Sequence, residues 1–302
     1  MILCADIGGT SVKLGLCDQN GTLHATAEAS VSFDNYQTPI IDTVIAASRA
    51  FLAEHACALS GIGVSATGQV DSRLGAVIGT NGKIANYEGT NIKARMEEAF
   101  SVPCEVLNDA NAALLGEVFC GGAQDAQNVV MLTLGTGVGG GVLVEGRLLT
   151  GHRGIAGEMG HFTLYQNGIP CPCGKKGCYE SYASTTALLR AAEEATGESG
   201  LNGRILFERV QHGDKTLSAV LDHWLDDVAA GITGLLHMFN PELILIGGGV
   251  SRQEELLLQP LRRRVLAGAM ARFTEDLRIE RAQLGNDAGL LGAAKFYLDI
   301  HQ

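Results

Sequence analysis

Two stretches of this chain, one at its start and one near its middle, are built alike. ILCADIGGTSVKLGLCDQNG (2–21) reads as an apolar strand, a Gly-Gly-Thr turn, a second apolar strand and an Asn-Gly turn. VVMLTLGTGVGGGVLVEGR (129–147) repeats that order with a Gly-Thr-Gly turn and a Glu-Gly turn. Strand-length apolar runs bounded by turn residues predict two lobes of similar build, the alternative being two unrelated hairpins. Residues 39–55 have the apolar spacing of a helix, and GIGVSATGQVD (61–71) reads as a buried strand leaving through small residues. CEVLNDANAALLGEVF predicts a short strand, a polar corner and a helix. TTALLRAAEEAT, LSAVLDHWLDDVAAGITGLLHMF and EELLLQPLRRRVLAGAM are helical, with Asn240-Pro241 closing the second, and ELILIGGGV is a strand running into a glycine turn. Strands alternating with helices place the chain in the α/β class. A domain boundary is expected near residue 117.

The chain has 40 glycines in 302 residues, above the usual share of about 7%, which fits tight strand–turn junctions or backbone approaching a ligand. A formal net charge of −11 argues against a broad nucleic-acid or anionic-membrane surface, while leaving room for a local phosphate pocket. Met1 leads into MILCADIGGT without a basic or long apolar leader, and no apolar run approaches the roughly 20 residues of a membrane span, so the expected location is the cytoplasm. In that reducing compartment the eight cysteines are not a disulfide framework. Cys4, Cys17, Cys57, Cys104 and Cys120 lie among apolar residues and read mostly as buried free thiols; Cys171, Cys173 and Cys178 cluster.

Gly135, Gly137 and Gly140 spell G-x-G-x-x-G, but a dinucleotide fingerprint opens a helix and these glycines run on into the strand-like GVLVEGRLL. There is no G-x-x-x-x-G-K-[ST] either. What remains is glycine turns whose bare N–H groups can wrap phosphate oxygens, with Thr10 and Thr136 adding hydroxyls, or hairpin turns without a ligand. Gly247-Gly248-Gly249 makes a third such turn. Asp109 sits where a strand breaks into a helix. It either caps the helix with Asn108 or serves as a carboxylate that takes a proton from a bound hydroxyl. Glu158 and His161 stand three apart among glycines, and His161, Cys171, Cys173 and Cys178 are four N/S donors suited to a closed tetrahedral zinc site. Disulfide or free thiols are the alternative. A C-x-x-C redox pair is absent, because only Pro172 separates Cys171 from Cys173.

With DIGGT, LND, LGTGVGGG, GEMGH and CPCGKKGC in one order, the chain resembles the ROK family (repressors, open reading frames and sugar kinases) from residue 2 to about 297, ending in NDAGLLGAAKF. GE-x-GH followed by C-x-C-G-x-x-G-C is the most specific part. The resemblance implies an actin-like, ribonuclease-H-like α/β sugar kinase fold of two lobes with an interlobe cleft. The expected lobes are 1–117 and 118–286, the latter carrying the zinc loop, with a C-terminal helix about 287–302 packing back on the first. It implies ATP-dependent phosphorylation of a hexose at its 6-hydroxyl, with Mg²⁺, and a homodimer.

Residue by residue, the resemblance makes Asp6, Gly8, Gly9 and Thr10 the first phosphate loop, and Gly135, Thr136 and Gly137 the second. Gly247 and Gly248 match the adenosine-side turn. Gly68, Asn108, Asp109, Glu158, His161 and Glu180 match the sugar site, with Asp109 the catalytic base. His161, Cys171, Cys173 and Cys178 match a structural zinc site, one histidine nitrogen meeting the metal and the other the sugar. Two departures stand out. Ser11 replaces the lysine that often follows GGT, the basic residue coming at Lys13. In TNGKIANYEG the family's sugar-reading Asn aligns with Asn81, Lys83 or Asn86, with Tyr87 in the aromatic place. The pattern is closest to glucokinases and β-glucoside kinases, with N-acetylmannosamine and fructose as other sugars. A sugar-sensing repressor of the family carries a DNA-binding segment before the first loop, which here begins at once.

Overall fold

The opening apolar run forms β1 (Ile2–Ile7) in a computed structural model, which describes residues 1–80 and 84–301. β2 (Ser11–Cys17) and β3 (Leu23–Ser30) fold back antiparallel beside it. After α1 (Ile40–Glu54) comes β4 (Gly61–Ala66), parallel to β1, and the small hairpin β5 (Gln69–Asp71)–β6 (Ala76–Gly79). Next come α2 (Ile92–Phe100), β7 (Cys104–Asn108), parallel to β4, and α3 (Asp109–Cys120). The five-stranded sheet runs β3-β2-β1-β4-β7. Side chains alternate across β1: Leu3, Ala5 and Ile7 join the core with Ile41, Val44 and Met96 of α1 and α2, while Ile2 and Cys4 join Leu290, Leu291 and Ala294. A strand covered on both faces favours apolar residues along its length, which is why ILCADI lacks polar alternation and is polar only at Asp6, near its end.

The second half repeats the arrangement. β8 (Val129–Leu134), β9 (Val138–Val144) and β10 (Arg147–Leu148) are followed by α4 (Glu180–Ala183), α5 (Thr185–Thr196), α6 (Gly203–Gln211) and α7 (Lys215–Phe239). β11 (Leu243–Gly247), α8 (Gln259–Gly268), β12 (Arg278–Arg281) and α9 (Ala288–His301) complete the chain. The sheet order β10-β9-β8-β11-β12 has the same sequence of directions as the first: β9 antiparallel to β8, then β11 and β12 parallel. α7 starts where the Asp214 carboxylate accepts from the Leu217 N–H and stops at Asn240, left-handed at φ 44°, ahead of Pro241. Its apolar face, including Trp224, Val228 and Leu236, packs with Val130, Leu132 and Ile244 of the sheet.

One unit comprises Met1–Asp125, Leu148–Gly157 and the chain from Gln283; the other comprises Ala126–Arg147 and Glu158–Ala282. α3, which contains residue 117, lies wholly in the first unit, and so does α9. The segment Leu148–Gly157, which the sequence set within 118–286, belongs to the first unit as well. There Asn111 Nδ2 donates to the Ala156 carbonyl (3.1 Å) and Arg73 to that of Gly151 (3.3 Å). Fully buried Glu117 accepts from the Leu284 N–H on Oε1 and the Gly122 N–H on Oε2, both at 2.8 Å, and so ties α3 to the approach of α9.

All eight cysteines are free thiols. Cys4, Cys17 and Cys104 are buried, but Cys57 is exposed and Cys120 only half-buried. Cys57 lies beyond the end of α1 in the loop to β4, where its neighbours do not cover it. No helix among the described residues is long and apolar enough to cross a membrane.

Candidate active site and metal centre

In the first unit the chemistry-bearing residues stand at the ends of β1, β4 and β7. Asp6 pairs in register with Lys13 on β2 and Ser65 on β4. Its Oδ1 accepts from the Ser65 hydroxyl at 2.6 Å. Burial pushes this carboxyl above its ordinary value, while Ser65 and the Lys13 charge pull it down. Gly8, Gly9 and Thr10 form the turn into β2, closed by the Gly8 N–H on the Ser11 carbonyl (2.9 Å). β7 ends on Asn108, whose side-chain oxygen caps α3 by accepting from the Ala110 and Asn111 N–H groups. Asp109 is therefore the first helical residue and Asn108 the cap. Asp109 Oδ1 accepts from Asn108 Nδ2 (2.9 Å) and from the Ala110 N–H (2.8 Å), so the carboxylate is held among donors at a helix start. Asn108 Nδ2 also donates to the Gly68 carbonyl at 2.9 Å. Asn86 is exposed and its Nδ2 donates to the Tyr36 carbonyl (3.4 Å), Tyr87 is buried, and Asn81 and Lys83 lie outside the described residues.

In the second unit, Gly135, Thr136 and Gly137 turn β8 into β9. The Gly135 N–H donates to the Gly137 carbonyl at 3.0 Å, and the Gly135 carbonyl accepts from the Thr185 N–H at 2.9 Å. Glu180 opens α4 and its Oε2 accepts from the Val138 N–H at 2.9 Å. A Cβ on residue 137 would stand 2.3 Å from that oxygen, so only glycine lets the carboxylate approach. Gly247 ends β11, and the Gly248 carbonyl accepts from the Ser251 hydroxyl at 2.8 Å. A cavity of about 990 Å³ is lined by Gly135, Thr136, Gly249, Arg204, Glu208 and Gln253 among others.

His161 lies between two chemistries. Its Nδ1 is 3.7 Å from Cys171 Sγ, and its Nε2 is 3.9 Å from Glu158 Oε2. Partial burial, reinforced by the Glu180 charge and opposed by His161, raises the Glu158 carboxyl above its ordinary value. Cys173 Sγ and Cys178 Sγ stand 3.6 Å apart, and the four ligand atoms of His161, Cys171, Cys173 and Cys178 all lie within 4.8 Å of one another. A tetrahedral zinc with Zn–S bonds of about 2.3 Å has ligand–ligand edges of about 3.8 Å, so the spacing fits that ion. Without a cation the donors oppose each other: burial, Cys173 and Cys171 push the Cys178 thiol up to about 12. The loop is shaped by the Gly177 N–H on the Ile169 carbonyl and the Cys171 N–H on the Lys175 carbonyl, both 2.8 Å. It is pinned to α7 by the Tyr165 hydroxyl, which donates to Asp227 at 2.6 Å.

A model of the ROK family matches residues 2–300. The chain belongs to the ROK family. Among its relatives, the glucokinase of Thermotoga maritima is 31% identical over 97% of this chain and 96% of that one. The beta-glucoside kinase of Listeria monocytogenes is 32% identical over 98% and 97%. A ROK family glucokinase from Streptomyces griseus, solved in complex with glucose and AMPPNP, is 32% identical, with a TM-score of 0.83 over 98% of both chains. The actin-like α/β fold of ROK sugar kinases is the fold of this chain.

Three residues of this ROK chain escaped the sequence reading. Ser65 holds Asp6; the Tyr36 hydroxyl donates to the Gly9 carbonyl at 2.6 Å and buttresses the Gly8–Thr10 turn; Gly289, in the first turn of α9, leaves space for the Asp6 carboxylate, which a Cβ there would meet at 2.6 Å. The only available signal was the glycine of NDAGLLGAAKF, whose position in a helix lacks any local reason.

Proposed function

We propose that this ROK chain transfers the γ-phosphoryl group of ATP to the 6-hydroxyl of a hexose, glucose or a glucose-like sugar being the substrate. The chain is a sugar kinase. The observation that carries the assignment is the double placement of His161, one ring nitrogen at the sulfur cluster and the other beside Glu158. A histidine so oriented presents Nε2 to a sugar hydroxyl.

Asp109 accepts the proton of the 6-hydroxyl as that oxygen attacks the γ-phosphorus in line; Asn108 and the start of α3 keep the carboxylate in place. Asn108, Glu158, His161 and Glu180 orient the remaining hydroxyls, with the Gly68 backbone nearby. The Gly8–Thr10 and Gly135–Gly137 turns offer N–H groups to phosphate oxygens and Lys13 a positive charge, while Gly247 and Gly248 serve the adenosine side. A carboxylate that burial disfavours as an anion, as at Asp6, suits a divalent cation: Asp6 would hold Mg²⁺, which would supply positive charge beside the phosphates. Zinc on His161, Cys171, Cys173 and Cys178 is structural, because four protein ligands leave no open position. A cytoplasmic location is part of this reading, and the family likeness supports a homodimer, which light scattering checks.

The test is a coupled ADP-release assay with glucose, mannose, fructose, N-acetylglucosamine, N-acetylmannosamine and cellobiose. Turnover is expected to be highest with glucose or a glucose-like sugar. No ADP release with any of them refutes the function.

A further inference from the structure

Leu148–Gly157 belongs to the first unit, although the residues on either side of it, Arg147 and Glu158, belong to the second. Among the described residues two side chains hold this segment by hydrogen bonds. Exposed Arg73 reaches the Gly151 carbonyl at 3.3 Å, and Asn111, only 1% exposed, donates from Nδ2 to the Ala156 carbonyl at 3.1 Å. Gly154 packs so closely on Ser72 that a Cβ would stand 2.3 Å from the serine Oγ. The segment is therefore held on the first unit as far as Ala156.

Asparagine is an unfavourable residue for this place in α3. Asn111 Oδ1 is buried with no hydrogen-bond partner among the described residues, and an amide oxygen so left gives up its hydration. Its neighbours Ala110, Ala112, Leu114 and Leu115 are buried apolar residues, and leucine would occupy the same position without that penalty. Packing alone does not call for an amide here. What asparagine adds is an N–H that can meet the Ala156 carbonyl.

That bond ends a short run of contacts beginning at Asp109. Asp109 Oδ1 accepts from Asn108 Nδ2 (2.9 Å), and Asn108 Oδ1 accepts from the Asn111 N–H (3.2 Å). Past Ala156 the backbone turns at Gly157, with φ 104°, into Glu158 and the 3₁₀ turn Met159–His161. One glycine thus separates the carbonyl that Asn111 holds from Glu158.

We infer that Asn111 is a positioning residue for the sugar: by holding Ala156 on the helix that Asp109 opens, it fixes the backbone from which Glu158 reaches its hydroxyls, and it sets sugar affinity without touching the sugar. The assignment rests on the sugar-kinase function proposed above and deepens it. A segment left free would have to be ordered at every binding event, and that ordering subtracts from affinity.

Asn111→Leu removes the amide and nearly keeps the volume. Titration calorimetry of the full chain with glucose, without nucleotide, should show affinity lower by about three- to tenfold, the worth of one neutral hydrogen bond. The KM for ATP and the melting temperature of the sugar-free protein should hold. A double-mutant cycle, read as kcat/KM for glucose, separates positioning from general loosening. If Asn111 acts through Glu158, Asn111→Leu should bring no further loss in a Glu158→Gln background. Equal losses in both backgrounds overturn the inference, and so does unchanged glucose affinity in Asn111→Leu; either result leaves the sugar-kinase function standing. Should Asn111→Leu fail to fold, Gly157→Ala carries the test. It leaves α3 intact but places a side chain at a φ that L residues rarely adopt, between the anchor and Glu158. It should weaken glucose in the same way, and unchanged glucose affinity there overturns the inference. A wild-type chain that releases no ADP with any sugar of the panel defeats the underlying function itself.

Discussion

Asp109→Asn separates the two roles open to this residue, helix start and proton acceptor. In the wild type, Asp109 Oδ1 takes the Asn108 amide at 2.9 Å and the Ala110 N–H at 2.8 Å. An amide oxygen can receive both, and the cap itself belongs to Asn108. The fold should therefore change by less than about 1 kcal/mol. What is lost is the basic oxygen, worth typically about 10²–10⁴-fold in rate, or roughly 3–5 kcal/mol of activation free energy at 1.36 kcal/mol per tenfold. Coupled ADP release gives kcat, titration calorimetry gives sugar affinity and a thermal melt gives stability. Expected are near-normal binding and melting with turnover down at least a hundredfold. Turnover within tenfold of wild type would refute the base assignment; a collapsed melting temperature with lost binding would make Asp109 a structural residue.

Elemental analysis should find one zinc per chain, and Cys173→Ser should lower both the melting temperature and sugar affinity; a metal-free, fully active protein would sink the zinc brace. Glu117→Ala leaves the Leu284 and Gly122 N–H groups without their carboxylate, which should cost about 2–4 kcal/mol in a denaturant melt; a change below about 1 kcal/mol would show that water replaces it at no cost. Asp6 carries a pH signature. Its folded value lies above the ordinary 3.8, so its contribution to stability is complete below about pH 3.8 and is lost as pH rises through the raised value. A nucleotide–Mg²⁺ complex that uses the ionised carboxylate should bind more tightly across that same window, and Asp6→Asn should flatten the rise. An identical binding profile in Asp6→Asn would count against Asp6 as a cation ligand.

Much of this molecule is written locally. ILCADIGGT and VVMLTLGTG carry strand, turn and strand within a few residues, so their repetition made two lobes of similar build legible, while the five-strand order of each sheet came from the fold. The four-donor cluster was equally legible, because three of its four residues lie within eight positions and N/S donors at such spacing have few other uses. Asp109 was visible only as an ambiguity: one stretch, LNDA, offers both a cap and the base proposed above, and placing Asn108 in the cap took the backbone geometry.

Tertiary structure alone decided the rest. Ser65 on Asp6, Tyr36 on Gly9 and Glu117 on Leu284 join residues far apart in the chain. Such pairs leave no periodicity or spacing to read, since a hydrogen bond across a core depends on where two elements meet. Tyr87 makes the contrast sharpest. From sequence it is one aromatic in a loop; in the fold it is a sealed ring whose hydroxyl has no partner among the described residues, in the field of two carboxylates. Composition and pattern determined the class, the repeat and the His161–Cys178 donor cluster because those are local properties of the chain. Burial determined which polar atoms must be held by a partner, because desolvation is a property of the packed molecule.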